Sequence, residues 1–259
     1  MSHNSIPNYP DLAGKVAVVT GGSRGIGAET SRYFAANGMK LAVVGRDPDA
    51  LESVVKDIES RGGTAIGVIA DCTDRDALNR LLTRTERELG PVDVLAAFAG
   101  FEPGPIPIER VTEEPWREVI EGNLTSSFLT VTTFLPGMIS RGRGSIITMS
   151  SAAGRLPGWS SIAYAVAKAG ILMLTRRIAL DIGKHNVRIN ALAPSAVLTE
   201  RQEQRIPLQV REQVIREQFL IARWGTPADC ANAALFLASD ASSWITGQTT
   251  DIAGGKIMM

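Results

Sequence analysis

Cysteine and histidine are nearly missing from this chain, with two of each in 259 residues, and neither Cys72 nor Cys230 belongs to a CxxC pair. That argues against a disulfide framework or a cysteine-built zinc site, so no metal is expected and a reducing compartment fits. Neither sign of charge is in excess, because 27 lysines and arginines balance 27 aspartates and glutamates. With no net field to attract a polyanion, neither nucleic acid nor a membrane is expected as a partner. Long apolar runs are also missing, and none approaches the roughly 20 residues that span a bilayer. The stretch 1–14 is polar, is broken by Pro7 and Pro10, and lacks the basic-then-apolar order of a secretory signal. Residues 1–13 are therefore expected to form a flexible tail, and the protein to be cytoplasmic. What is present, 44% hydrophobic content at this length, suffices for one core, so 14–259 is expected to be a single domain.

Short apolar runs at 15–20, 40–44, 64–70, 93–97, 145–149 and 187–192 read as strands. Stretches of helical period at 26–36, 48–60, 75–89, 114–139 and 162–182 separate them, several opened by start signals such as Asp47-Pro48. A helix at 227–238 and a short strand at 248–252 close the chain. Alternation of this kind builds βαβ units, and strands apolar on both faces belong in a parallel sheet covered by helices on each side. Ligand sites then lie at the C-terminal ends of the strands, here 20–25, 45–47, 98–101, 150–152 and 193–199. The charged, glutamine-rich stretch 195–225 breaks the pattern and is expected to form a lid, built as an ordinary amphipathic surface segment.

Thr20-Gly21-Gly22-Ser23-Arg24-Gly25-Ile26-Gly27 follows the first strand and opens the first helix. Glycines there let backbone approach a phosphate closely, and the helix N-terminus faces the anion. The spacing is not GxGxxG, since Ser23 and Ile26 stand where its later glycines would fall, and alone the turn reads equally as a tight connection. The second strand ends Val44-Gly45-Arg46, with glycine where NAD-binding folds set an acid for the ribose and an arginine suited to a 2′-phosphate. Arg24 is a second cation. The pair favours NADP over NAD, with Asp47 as the competing carboxylate.

Tyr164 and Lys168 are four residues apart, hence on one helical face about one turn from each other. A phenol with reference pKa near 10 is a poor base at neutral pH, and a neighbouring ammonium is expected to lower that value. By itself Tyr-x3-Lys is more often a buried tyrosine beside a surface lysine. Its position adds weight, because Ser150-Ser151 ends the strand at 145–149, thirteen residues before Tyr164.

From about 12 to 255 the sequence resembles the short-chain dehydrogenase/reductase family, whose cofactor motif TGxxxGxG matches 20–27. The resemblance implies a single Rossmann-type doubly wound α/β fold with about seven parallel strands in the order 3-2-1-4-5-6-7. It also implies Ser151 as the hydroxyl that bonds the substrate oxygen, Tyr164 as general acid and base, and Lys168 as support for the phenol and for the nicotinamide ribose. Asn123, in Glu121-Gly122-Asn123-Leu124, matches the asparagine that interrupts a long helix and helps a water relay protons towards Lys168. Cofactor contacts are implied at Gly21, Ser23, Arg24, Gly25, Ile26 and Gly27. Others are implied at Arg46, at Asp71 (otherwise a helix cap) with Cys72 beside it, at Ala99, Gly100, Tyr164 and Lys168, and at Pro194, Val197 and Thr199. Ser151, Tyr164, Phe101, Ala153 and Trp159 are expected around the substrate, with Arg155, Ile162 and parts of 200–222 lining the same pocket.

Four positions in three places depart from the family pattern. Its usual Asn-Asn-Ala-Gly appears as Ala97-Phe98-Ala99-Gly100, its Pro-Gly as Pro194-Ser195, and Ala253 stands where an aspartate is common. The branch most resembled contains 3-oxoacyl-carrier-protein reductases and general ketone reductases. The expected activity is therefore NADP(H)-dependent, reversible reduction of a ketone or 3-oxoacyl carbonyl to a secondary alcohol. The expected substrate is a small molecule or an acyl thioester. Alternatives are a sugar or cyclic alcohol dehydrogenase, and a catalytically silent dinucleotide-binding sensor or scaffold. A homotetramer through the helices near 114–139 and 162–182 and the last strand is implied by the resemblance alone.

Overall fold

Residues 6–258 are described by a computed structural model, in which each apolar run becomes a strand. These are β1 (Val16–Thr20), β2 (Lys40–Gly45), β3 (Thr64–Ile69), β4 (Val92–Ala97), β5 (Gly144–Met149), β6 (Val187–Pro194) and β7 (Thr249–Ile252). They form one parallel sheet in the expected order β3-β2-β1-β4-β5-β6-β7. β1 is buried at every residue, which is why it reads as a continuous apolar run and not as an alternation. Its side chains still divide by parity: Ala17 and Val19 join one core with Phe34 and Leu235, and Val16 and Val18 join the other with Leu81 and Phe134.

The helices follow as α1 (Gly25–Ala36), α2 (Pro48–Ser60), α3 (Arg75–Glu88), α4 (Glu113–Ile120), α5 (Ser126–Arg141), α6 (Ile162–Ile182), α7 (Glu200–Arg205), α8 (Leu208–Gln218) and α9 (Pro227–Ala238). Start signals act as expected. Asp47 accepts the N–H of Ala50 ahead of Pro48, and Thr226 and Asp229 make a reciprocal capping box at α9. The helix expected over 114–139 is interrupted by a π-helical turn, Glu121–Thr125, between α4 and α5. Such turns recur at functional sites.

Residues 1–5 of the expected flexible tail lie outside the described residues. The rest of that stretch is anchored. The Tyr9 N–H donates to Asn37 Oδ1 at 2.7 Å, Asn37 Nδ2 donates to the Pro7 carbonyl at 3.0 Å, and Leu12 is fully buried. Two prolines and polar neighbours masked this single apolar anchor in the sequence. In the stretch 195–225, α7 and α8 bury no residue, and the segment is held from its far end. There Phe219 and Trp224 pack edge to face, and the Leu220 and Ile221 N–H groups both donate to the Gly254 carbonyl.

Candidate active site

The glycine turn after β1 is glycine-built for its own packing. Gly21 has φ +65° and Gly25 φ +51°, and a Cβ on Gly27 would lie 2.2 Å from the Gly21 carbonyl oxygen. Gly25 faces Thr199, whose Cγ2 a Cβ would approach to 3.1 Å, so the turn and the segment after β6 meet across the strand ends. Between Ser23, Arg24 and Gly25 on one side and Leu198, Glu200 and Glu203 on the other lies a cavity of about 340 Å³. Unlike α2, α3, α6 and α9, α1 starts with no side-chain cap. Its first N–H groups are thus left for an anion, and this donor set fits the diphosphate of a dinucleotide.

The charged rim beside this turn is internally paired. Arg24 bonds Asp47, and Arg46 Nη1 stands 4.0 Å from Asp71 Oδ2, with the arginine side chains 66% and 75% exposed. Backbone N–H donors, from Ala50 and Thr73 respectively, lead the causes that hold both carboxyls below the usual range. Asp71 does not cap α3; Asp74 does, while Asp71 closes a turn with the N–H and hydroxyl of Thr73. Cys72 is buried in the core beside Thr130, and burial pushes its thiol up to about 11.

The lost amides after β4 are replaced from another strand. Thr20 Oγ1 accepts the N–H of Phe98 at 3.0 Å and of Ala99 at 3.2 Å, while the Phe98 ring joins the core. Gly100 is squeezed between functional groups: a Cβ there would lie 2.5 Å from Asn123 Oδ1 and 3.3 Å from Lys168 Nζ. Asn123, on the π-helical turn and fully buried, donates to the Phe101 carbonyl and accepts the Phe101 N–H. Ser195 needs no glycine-like conformation, since Asn186 alone among described non-glycine residues has positive φ. Its N–H bonds the Ile252 carbonyl, and Val197 pairs with Gly225.

Ser150 and Ser151 have separate tasks. Ser150 Oγ donates to the Lys168 carbonyl at 2.7 Å and ties β5 to α6, whereas Ser151 Oγ donates to the Pro194 carbonyl, accepts the Ala153 N–H, and lies near enough to the Tyr164 phenol to lower its pKa. Lys168 Nζ donates to the Met149 carbonyl at 2.9 Å and lies 5.2 Å from the Tyr164 ring centroid. Asn123, Ser151 and the Tyr164–Lys168 pair, drawn from three separate places in the chain, are thus brought together at the ends of β4 and β5.

The expected lowering of the phenol by Lys168 is not what the structure gives. Burial pushes Tyr164 up to about 12, against a lowering by the Ser151 hydroxyl, and the Glu102 charge adds to the rise. Lys168 itself is brought down to about 7 by complete burial, which the Glu102 charge opposes. Desolvation outweighs pairing here because Lys168 is fully buried and Tyr164 half-buried.

On the substrate side the expectations need correction. Arg155 does not line an open pocket; it makes a bidentate pair with Asp251 at 3.1 and 3.0 Å, the side chains only 12% and 15% exposed. Trp159 stands 92% exposed, and Ile162 is 39% exposed. Phe101 packs on Gly122, where a Cβ would meet its ring at 2.5 Å, and it is half-buried, as is Ala153. Sequence reasoning missed Thr20, Ser161 and Glu102. Ser161 caps the Tyr164 N–H, and Glu102 Oε1 accepts from Gly104 at 2.7 Å and from Ser161 at 3.2 Å. An acid directly after Gly100-Phe101, ahead of a run of prolines, was the available signal. Among the described residues no cluster of metal-ligating side chains occurs, and no helix is long and apolar enough to cross a membrane.

A family model described as enoyl-(acyl carrier protein) reductase matches residues 21–256. The chain belongs to the short-chain dehydrogenase/reductase family. This is an oxidoreductase family acting on carbonyl and alcohol groups. Among curated members, the 7α-hydroxysteroid dehydrogenase of Escherichia coli strain K12 is 36% identical over 246 residues, 95% of each chain. The 3-oxoacyl-[acyl-carrier-protein] reductase of Thermotoga maritima is 34% identical over 247 residues, 95% of this chain and 99% of that protein. A solved 7α-hydroxysteroid dehydrogenase, complexed with NADH and 7-oxo glycochenodeoxycholic acid, superposes with a TM-score of 0.90 at 35% identity, covering 97% of both chains.

Proposed function

We propose that this short-chain dehydrogenase/reductase is an NADP(H)-dependent enzyme that reduces a ketone or 3-oxoacyl carbonyl to a secondary alcohol, and runs the reverse reaction. The observation that carries this reading is the placing of Lys168 Nζ 5.2 Å from the Tyr164 ring, with Ser151 at the end of β5 near enough to influence the phenol. Two hydroxyls converge there on the position a carbonyl oxygen would take. When bound, the nicotinamide supplies or accepts the hydride. The remaining work falls to the chain: Ser151 donates a hydrogen bond to the oxygen as charge develops, and Tyr164 gives it a proton as general acid. A phenol held up near 12 keeps that proton across the neutral range, which suits reduction better than oxidation. Lys168 and Asn123, which both border Gly100, lie on the route by which the proton is restored.

For the cofactor, Gly45 and the arginines at 24 and 46 support NADP, with their aspartate partners giving way to a 2′-phosphate. The exposed helices α7 and α8 beside the cavity act as the lid. Val166, Met173 and Leu180 recur every seven residues on α6 with 45%, 60% and 78% exposure, and this apolar stripe supports burial against further copies in a homotetramer. Two buried free cysteines fit a cytoplasmic, reducing location. The test is consumption of NADPH and of NADH against a panel of ketones that includes an acyl thioester. Turnover with preference for NADPH is expected; inactivity across the panel would favour a silent dinucleotide-binding protein. Mass measured in solution tests the tetramer.

A further inference from the structure

Arg155 and Asp251 form an ion pair that the proposed chemistry leaves unused. Its two hydrogen bonds measure 3.1 and 3.0 Å, and the side chains are only 12% and 15% exposed. Removing two charges from water largely offsets their attraction, so a pair of this kind is a weak source of stability. Strand β7 does not need it either, because Thr249–Ile252 is already paired with β6 along its whole length. What the pair does reach is the turn that carries Ser151. That residue opens the 3-10 turn Ala152–Gly154, where its Oγ accepts the Ala153 N–H at 3.2 Å and its carbonyl accepts the Gly154 N–H at 2.9 Å. Arg155 closes the same turn through its N–H to the Ala152 carbonyl. Gly154 wedges the turn against α6, since a Cβ there would lie 2.6 Å from the Lys168 carbonyl carbon.

The geometry points to Arg155 and Asp251 as positioning residues for Ser151: the pair ties the far end of the serine's turn to β7 and so holds the hydroxyl where the substrate oxygen must meet it. This rests on the oxidoreductase reading above and adds to it two residues that act through Ser151. Asp251 lies opposite Ala193 in the register of β6 and β7, one residue before the Pro194 carbonyl to which Ser151 Oγ donates at 3.4 Å. The serine turn is thus fastened at both ends to neighbouring residues of the same two strands. With the far end freed, the turn can rotate about Ser151, and the hydroxyl leaves its line to the substrate while the fold persists. A planar guanidinium fixes direction as well as distance, because both of its bonds must form together.

The test is steady-state reduction of whichever ketone of the panel above wild type turns over fastest. It compares wild type with Arg155→Met/Asp251→Leu, which replaces both charges by apolar groups, with Arg155→Lys, and with each of these three carrying Ser151→Ala. Loss of the pair should lower kcat about tenfold to a hundredfold, with ketone KM and dinucleotide Kd within about twofold and the melting temperature little changed. In wild type Ser151→Ala should cost about a hundredfold in kcat. Without the pair it should cost about tenfold or less, because the hydroxyl it removes is already misplaced. A merely structural pair would leave the full serine penalty in place. Arg155→Lys keeps the charges and the fold but loses the fork, so it should show the same changes to a smaller degree, and it decides the matter if the apolar pair fails to fold. A normal kcat in these variants, or an undiminished serine penalty, overturns this inference alone. No turnover of any ketone by wild type sinks the oxidoreductase reading and this inference with it.

Discussion

The reacting centre and the arginine rim sit at the ends of neighbouring strands in one sheet, yet their charges behave differently. At the centre Lys168 is 3% exposed, and burial, the largest cause in both cases, brings it down to about 7 and pushes Tyr164 up to about 12. At the rim Arg24 and Arg46 face Asp47 and Asp71 in water, where solvent screens such pairs and they add little to stability. Substitution at the centre should therefore change the chemistry by orders of magnitude, whereas substitution at the rim should only tune selectivity. The largest expected effect is that of Tyr164→Phe, which removes the proton donor and should lower turnover about a hundredfold to ten-thousandfold while dinucleotide affinity changes little. Steady-state rates beside a dinucleotide titration check it, and near-normal turnover would remove Tyr164 from its role.

Lys168→Met tests the same contrast through stability. A lysine whose value falls from 10.5 to about 7 on folding carries one proton more in the unfolded chain between those limits. Stability therefore rises with pH across that interval and carries the full penalty below about 7, on the order of a few kcal/mol. Methionine removes the penalty, so the variant should be inactive yet melt higher near neutral pH, and its melting temperature should lose the rise with pH. Tyr164 works in the opposite sense at higher pH: the folded phenol keeps its proton between 10.0 and about 12, and stability falls there. A wild-type melting temperature flat from pH 7 to 9, below the range where the buried thiols of Cys72 and Cys230 pull the other way, would mean that Lys168 is not enclosed as described.

Gly27→Ala is next in size. Its Cβ would sit 2.2 Å from the Gly21 carbonyl oxygen, backbone that cannot rotate away, so α1 must move. Overpacking of this kind costs about 1–3 kcal/mol, and the shifted helix start should also weaken dinucleotide binding. Denaturant unfolding and a binding titration on the same variant check both effects. Full stability with normal binding would show that the turn is looser than its glycines imply.

What sequence reading could reach follows the range of the signals. The strands, the glycine turn and the Tyr164–Lys168 face rest on spacings of a few residues, which helix and strand periodicity convert directly into geometry, whereas the strand order came only with the family resemblance. Thr20 could not be read as the replacement for the lost amides, because the residues it serves, Phe98 and Ala99, follow another strand, nearly eighty residues on. Arg155 looked like a pocket residue until Asp251, 96 residues away, paired with it. Leu12 was hidden by the polar residues around it, and Glu102 by a loop without period. Even the phenol's direction was misjudged, since a Tyr-x3-Lys spacing carries no information about how deeply the pair is buried.

The rim gives the smallest effect and the sharpest reading of the cofactor. Arg46 has little to lose structurally, being 75% exposed and only 4.0 Å at best from Asp71, so Arg46→Ala should leave the melting temperature nearly unchanged. If a 2′-phosphate is its partner, the substitution removes a charge-assisted contact and should lower kcat/KM with NADPH by about tenfold. The NADH value should hold or rise. Arg24→Ala should act in the same direction but less strongly, because Arg24 already shares its charge with Asp47, and freeing Asp47 beside the ribose would favour NADH further. Equal losses with both dinucleotides would reverse the assignment, leaving the arginines as solvated partners of Asp47 and Asp71 and Asp47 as the group that meets the ribose.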